Sequence, residues 1–359
     1  MPTLREKIAQ MFLVGVETLE LTAEERSAIE RYSFGGFILF SHNCCDPEQI
    51  LSLCRTLWDT CTGLPPFIAI DQEGGRVHRL PKPFIHFPAA ARIGETGDAK
   101  LAYGAARATA EELAAVGINL NFAPVLDVNS NPKNPVIGDR SFASDPQKVS
   151  VFGAQWIQGL RDGGVIPCGK HFPGHGDTDK DSHLDLPVVD RCLDELRRVE
   201  LPPFVNACQT GIESLMTAHV IYRALDPRLP ATLSPNIVTD LLRKKLNYHG
   251  VVFGDDMEMK AISDHYREEE AVQRCVRAGI DVMLFCHELP KAIRALDFLC
   301  LESAKDATVR SQVESSYSRI LKLKQNFLRG FTGVEAGRLQ QRLARLNHQQ
   351  IADKIQGNL

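Results

Sequence analysis

Short runs of β-branched and aromatic residues alternate with longer amphipathic runs along this chain. The apolar runs at 36–40, 67–70, 120–128, 165–168, 214–218, 251–253 and 282–285 read as buried strands. Helical periodicity fills the gaps, over 22–32, 46–60, 98–116, 146–161, 192–209, 234–246 and 267–278. The helix over 98–116 is rich in alanine and stops at Gly117, while that over 146–161 opens on Ser144-Asp145-Pro146, a capping acceptor followed by a first-turn proline. Strands separated by helices predict a parallel sheet. Such a sheet in a chain of 359 residues predicts an α/β fold, a (β/α)8 TIM-type barrel whose first strands are irregular. The rival, an open doubly wound sheet, favours a glycine-rich turn after its first strand, and none is present. Residues 301–359 keep a helical pattern and turn polar, which predicts C-terminal helices packed outside the barrel. Residues 1–359 thus read as a single catalytic domain, with 301–359 a helical extension.

Composition narrows the class. Hydrophobic content of 44% and charged content of 24% suit a globular core. A net charge of −4 argues against nucleic acid as a partner. The basic trio Arg243-Lys244-Lys245 reads as the end of a helix. The first residues mix charge into their apolar run, unlike a signal peptide, and no apolar stretch reaches the roughly 18 residues of a membrane helix. A cytoplasmic protein without a membrane partner is expected. The 10 cysteines are scattered without paired spacing and read as reduced core thiols, although Cys168 and Cys286 fall near strand ends.

Polar residues recur where strands should end: His42, Asp71, Asp127 with Asn129, Lys170-His171, His219, Asp255-Asp256 and His287. Any one of them can be an ordinary loop or rim residue. A barrel gathers all of them on its carboxyl-terminal face, where barrel enzymes build their sites.

The segment from Lys170 to Pro187, KHFPGHGDTDKDSHLDLP, is too long and too rich in histidine and aspartate for a structural turn. In extended backbone Asp181 and His183 project to one side, so the carboxylate can fix the imidazole tautomer and raise its basicity. Such a histidine can donate and then accept a proton near neutral pH. A second segment, GVVFGDDMEM, delivers Asp255 from a buried strand, where a carboxylate can attack an anomeric carbon. A third, DQEGGRVHR, offers Asp71 and Arg79 beside a tight Gly74-Gly75 turn, and a fourth, NPVIGDRSF, offers Arg140. Carboxylates and guanidinium forks are what sugar hydroxyls require.

These four segments together resemble glycoside hydrolase family 3, in its single-domain β-N-acetylhexosaminidase branch. KHFPGHG followed by DSH carries the branch, and LLRKKLNYHGVVFGD is similar to the family's nucleophile signature. The resemblance implies a nucleophile at Asp255 and a general acid/base at His183 oriented by Asp181. It implies that Asp71, Arg79, Arg140, Lys170 and His171 bind the sugar. It further implies retaining hydrolysis through a covalent glycosyl-enzyme, with no metal or organic cofactor. The implied substrates are small carbohydrates bearing terminal β-linked N-acetylglucosamine, namely muropeptides of cell-wall recycling or chito-oligosaccharides, and the chain is expected to be a monomer or weak dimer. One departure stands out: the family has Ser or Thr immediately before the nucleophile, where this chain has Gly254. Three alternatives stay open: phosphate as the acceptor, a metal-dependent barrel hydrolase using His171, His175, Asp177 and His183, and a sugar-binding barrel without turnover.

Overall fold

A computed structural model describes residues 2–178, 186–346 and 348–357. Its parallel strands close into a barrel: β1 (Phe12–Gly15), β2 (Gly36–Leu39), β3 (Phe67–Ile70), β4 (Leu120–Asn121), β5 (Ile166–Phe172), β6 (Ser214–Thr217), β7 (Val251–Asp256) and β8 (Val282–Phe285). Each strand pairs with its neighbours in the chain, and β8 closes on β1 with Met283 opposite Phe12. The predicted (β/α)8 architecture is the one observed.

The strand missing from the sequence reading is β1. It begins only three residues after the helix Leu4–Ala9, and a four-residue apolar run joined to a helix has no periodicity of its own. The predicted strand at 120–128 is mostly not a strand. Beyond Asn121 the pairing continues irregularly, with Phe122 donating to the Ile70 carbonyl, Cys168 and Lys170 donating to the carbonyls of Ala123 and Pro124, and Val125 bridging Lys170, while the Asn121 side chain accepts from the Gln72 amide and donates to the Gln72 carbonyl. The predicted helix at 192–209 divides into Leu193–Arg198 and Pro202–Gln209, because a proline has no N–H to continue the first helix. Residue 301, the expected start of the extension, lies inside the helix Leu289–Lys305 that follows β8.

The barrel is filled by side chains. Phe67 and Phe122 meet Phe253 edge to face with ring centroids 6.0 and 5.4 Å apart, and all three are buried. Outside, the helices Ala99–Ala115 and Pro146–Asp162 approach so closely that a Cβ on Gly159 would lie 2.4 Å from the Tyr103 carbonyl oxygen. The C-terminal helices Leu339–Leu346 and Gln349–Gln356 pack against Ala99–Ala115.

The helix Ala307–Phe327 sends Lys324 into the amino-terminal mouth of the barrel. Its ammonium is buried, donates to Gln10 Oε1 and the Gly35 carbonyl at 2.7 Å each, and sits 4.6 Å from the Phe67 ring centre. Burial pulls this lysine down to about 7. The neutral amine still has two N–H groups for its two acceptors. Between pH 7 and the ordinary lysine range the unfolded chain therefore binds the extra proton, and the contribution of Lys324 to stability rises with pH. Urea unfolding of wild type and Lys324→Met at pH 6.5 and 9.5 should show the difference moving in favour of wild type at the higher pH. A pH-independent difference would refute the assignment.

Candidate active site

The carboxyl-terminal mouth is organised by a buried chain of charges between β3 and β5. Asp71 follows β3 directly, and Gly74 and Gly75, with φ of 94° and 55°, turn the backbone sharply behind Glu73. Glu73 accepts from both Nε and Nη2 of Arg140 at 2.8 Å. Lys170, on β5, bridges Asp71 at 2.6 Å and Glu73 at 2.7 Å. Burial by itself would raise Glu73, but the Arg140 and Lys170 charges overcome it and hold the carboxyl well below the usual range. The same two carboxylates raise Lys170 against the lowering effect of its burial. Glu73 was not among the residues singled out in the sequence. The signal lay in its place two residues beyond Asp71, which puts both carboxylates within reach of one lysine.

Asp127 forms a second buried node. It accepts from the His171 amide at 3.1 Å, from the His175 amide at 2.7 Å and from His171 Nδ1 at 2.7 Å. A carboxylate can only accept from that nitrogen, so Nδ1 carries the proton and Nε2 is the ring's remaining polar atom. Burial would raise Asp127, and His171 and the His175 amide outweigh it and hold it low. His175 is buried beside Thr178 Oγ1 at 2.8 Å, and burial together with the nearby His171 lowers it to about 4.

On the far side, β7 ends in Asp255 and Asp256. Asp255 Oδ1 accepts from the Asp256 amide at 2.9 Å. Asp256 Oδ1 accepts from the amides of Glu258 and Cys286, and Oδ2 lies 3.6 Å from His287 Nε2. Burial raises the Asp256 carboxyl to about 6; the Glu258 amide opposes this, and the charges of Glu258 and Asp255 add to it. The space that a side chain on Gly254 would occupy is taken by Thr232, whose methyl lies 3.1 Å from where its Cβ would be. Thr232 Oγ1 is 2.9 Å from Thr217 Oγ1 and 2.8 Å from His219 Nδ1, and His219 Nε2 donates to the Asp256 carbonyl.

These groups face a cavity of about 220 Å³. Asp71, Arg79, Arg140, Lys170, His171 and Asp255 all line it, as do Glu73, His175, Asp256, Met259, Cys286 and His287. Arg140 spends its Nε and Nη2 on Glu73. The Arg79 guanidinium lies 5.8 Å from the Phe40 ring centre, and its buried Nε has no hydrogen-bond partner among the described residues. His42 bonds to the Val16 carbonyl and His219 is buried in the Thr232 network. Met257 borders a different cavity and takes the Cys275 thiol, so it does not floor this one. Burial pushes Cys168 up to about 12 and Cys286 well above its ordinary value, so neither supplies a thiolate at neutral pH. Asp181 and His183 lie outside the described residues.

Glu73→Gln leaves Lys170 and Arg140 with one buried countercharge fewer. It should lower unfolding free energy by about 3–5 kcal/mol and raise KM for any sugar substrate, read by urea unfolding and steady-state kinetics. Asp256→Asn keeps the Oδ1 acceptor for both amides and removes a carboxylate that the fold disfavours. As pH rises from the ordinary aspartate value to about 6, the native state holds a proton that the unfolded state releases, and wild type loses stability. Asp256→Asn should therefore unfold at a higher temperature than wild type at pH 7.5 and show little difference at pH 4; a deficit at pH 7.5 would contradict this.

Comparison with known proteins places the chain in a family. The model of the glycosyl hydrolase family 3 N-terminal domain matches residues 3–323. A β-hexosaminidase of Alkalilimnicola ehrlichii is 39% identical over 293 residues, covering 79% of this chain and 82% of that one. A family 3 β-N-acetylglucosaminidase structure from Paenibacillus superposes with a TM-score of 0.89 at 39% identity, over 96% of this chain and 68% of that one. The structure of a β-N-acetylhexosaminidase from Beutenbergia cavernae superposes with a TM-score of 0.86 at 28% identity, over 90% and 99%. The chain belongs to glycosyl hydrolase family 3 and is a glycoside hydrolase.

Proposed function

We propose that this enzyme is a retaining β-N-acetylhexosaminidase that releases terminal β-linked N-acetylglucosamine. The observation that carries the reading is that Asp255 and the Asp71–Lys170–Glu73–Arg140 chain line one cavity. Paired charges suit a neutral, hydroxyl-rich ligand, because the donors and acceptors face it without a net charge. Asp71, Arg79, Lys170 and His171 hold the hydroxyls, and Arg140 acts mainly by fixing Glu73. Met216, Met259 and Leu284 give the cavity an apolar wall suited to an acetamido methyl. The names of the relatives support the same substrate.

In the first step the Asp255 carboxylate attacks the anomeric carbon and the glycosidic C–O bond breaks. Its electron pair stays on the leaving oxygen, which takes a proton from His183. In the second step water attacks the same carbon, gives a proton to His183 and releases Asp255. Asp181 fixes the His183 tautomer through both steps. The chain acts as one catalytic unit, monomeric or weakly dimeric, on muropeptides in cytoplasmic cell-wall recycling or on chito-oligosaccharides.

Turnover of 4-nitrophenyl β-N-acetylglucosaminide and β-glucoside should favour the N-acetyl substrate. Asp255→Ala should lower its kcat/KM by at least about 10³-fold. No wild-type turnover of either substrate would sink the reading. Formation of a glycosyl phosphate in phosphate buffer would replace water by phosphate as the acceptor and leave Asp255 in place.

A further inference from the structure

One buried carboxylate beyond the end of β7 is shared between the wall of the catalytic mouth and a second cavity. Glu258 follows Asp255 by three residues, and its side chain is 5% exposed. Its Oε2 accepts from the amides of His287 at 2.6 Å and Glu288 at 3.2 Å, and so fixes the turn after β8. Its own amide donates to Asp256 Oδ1 at 3.1 Å. His287 and Asp256 both line the catalytic cavity.

Glu258 itself lines a different cavity, of about 180 Å³, to which the helices Glu268–Ala278 and Leu289–Lys305 both contribute. Ile262, Ala271, Val272 and Phe285 give this cavity apolar walls. Glu258 Oε1 is buried and has no hydrogen bond among the described residues. Lys291 Nζ, on the same wall, lies 3.5 Å from Oε1 and is drawn to Glu288 at 2.5 Å. Glu268, also on the wall, is paired with Arg294 at 3.0 Å. A buried carboxylate oxygen without a donor costs free energy, and an entering N–H group recovers it. A charged donor recovers most, because its hydrogen bond to a carboxylate is about twice as strong as a neutral one. The size of the cavity selects the rest of the ligand: an apolar cavity of about 150 Å³ accepts benzene. One ring with a short cationic arm satisfies both requirements.

We propose that this cavity is an effector site for a small primary amine with an aromatic body, whose ammonium bonds Glu258 Oε1. Its occupant acts on the mouth without entering it. A cation at Oε1 draws the carboxylate away from the amides of His287 and Glu288, and the turn that carries His287 moves with it. The coupling path is one side chain long, and both of its ends are hydrogen-bonded or ion-paired groups rather than a chain of soft contacts.

The probe is benzylamine, a cation at neutral pH, titrated calorimetrically into the whole chain. It should bind with a Kd on the order of 1 mM, and benzoate at least about 10-fold more weakly. Glu258→Gln should weaken benzylamine at least about 10-fold. Ala271→Leu fills the cavity from its helical wall and should abolish binding while leaving kcat/KM without amine unchanged. Ser263→Trp, on the exposed rim of the cavity, covers the case in which Ala271→Leu does not fold. Saturating benzylamine should shift KM for the best aryl glycoside substrate by about 5-fold or more in wild type and leave it unmoved in Ala271→Leu. No binding, or benzoate binding as tightly as benzylamine, would overturn the site. Binding that persists in both Ala271→Leu and Ser263→Trp would place the amine in the catalytic mouth and overturn it as well. Binding without any change in KM or kcat would overturn the effector role. None of these readouts depends on which sugar the enzyme prefers, so a failure of the N-acetylglucosaminide reading would show separately, as preference for a different glycoside.

Discussion

Lys170 is the charge around which the barrel mouth is arranged. Its side chain is 3% exposed, and an ammonium that deep costs several kcal/mol unless countercharges meet it. Two carboxylates do, both from the end of β3, across the short β4. The second carboxylate would then be in excess, and Arg140 balances it with both prongs of its fork. Two cations and two anions thus close the account and lock β3, β5 and the loop of residues 134–142 into one unit. That unit presents fixed donors and acceptors to the cavity while exposing little net charge.

The opposite side of the mouth is built on the reverse principle. Around Glu73 and Asp127 positive or proton-donating neighbours overcome burial and hold the carboxyls low. Around Asp256 burial prevails, the neighbours Glu258 and Asp255 are themselves acidic, and the carboxyl is pushed up to about 6. Two local environments at one mouth thus drive its acids apart. The carboxylates beside the buried cations stay charged, whereas Asp256 accepts two amides through Oδ1 and Asp255 accepts the Asp256 amide.

Much of this was legible in the sequence, and the illegible parts have physical causes. Strand-length apolar runs between helices gave the barrel, and polar residues at the strand ends gave the face on which Asp71, Arg79, Arg140, Lys170, His171 and Asp255 meet. The run at 12–15 was hidden because it adjoins an amphipathic helix. The run at 120–128 reads as one strand, but past Asn121 its pairing with β5 is irregular, and a continuous apolar pattern does not show where a ladder loses its regularity. Glu73 leaves a local signal, two residues beyond Asp71, whereas Thr232 and Glu200 bond partners distant in sequence, His219 and Ser130, and spacing along the chain says nothing about such pairs. Arg140 was read as a sugar ligand, and its geometry assigns it first to Glu73.

The loop after β4 joins the charged unit of the mouth to the backbone that leads out of β5. Asn134 closes its own turn by accepting from the amides of Val136 and Ile137, and its amide group holds the carbonyls at the root of the segment bearing His183. Six residues later the same loop supplies Arg140 to Glu73. Ser130, at its start, supplies the hydroxyl that fixes Glu200. One loop therefore ties both the Glu73–Arg140 pair and the backbone leading out of β5 to the same piece of chain, so a displacement of that loop moves both together and preserves their relative geometry.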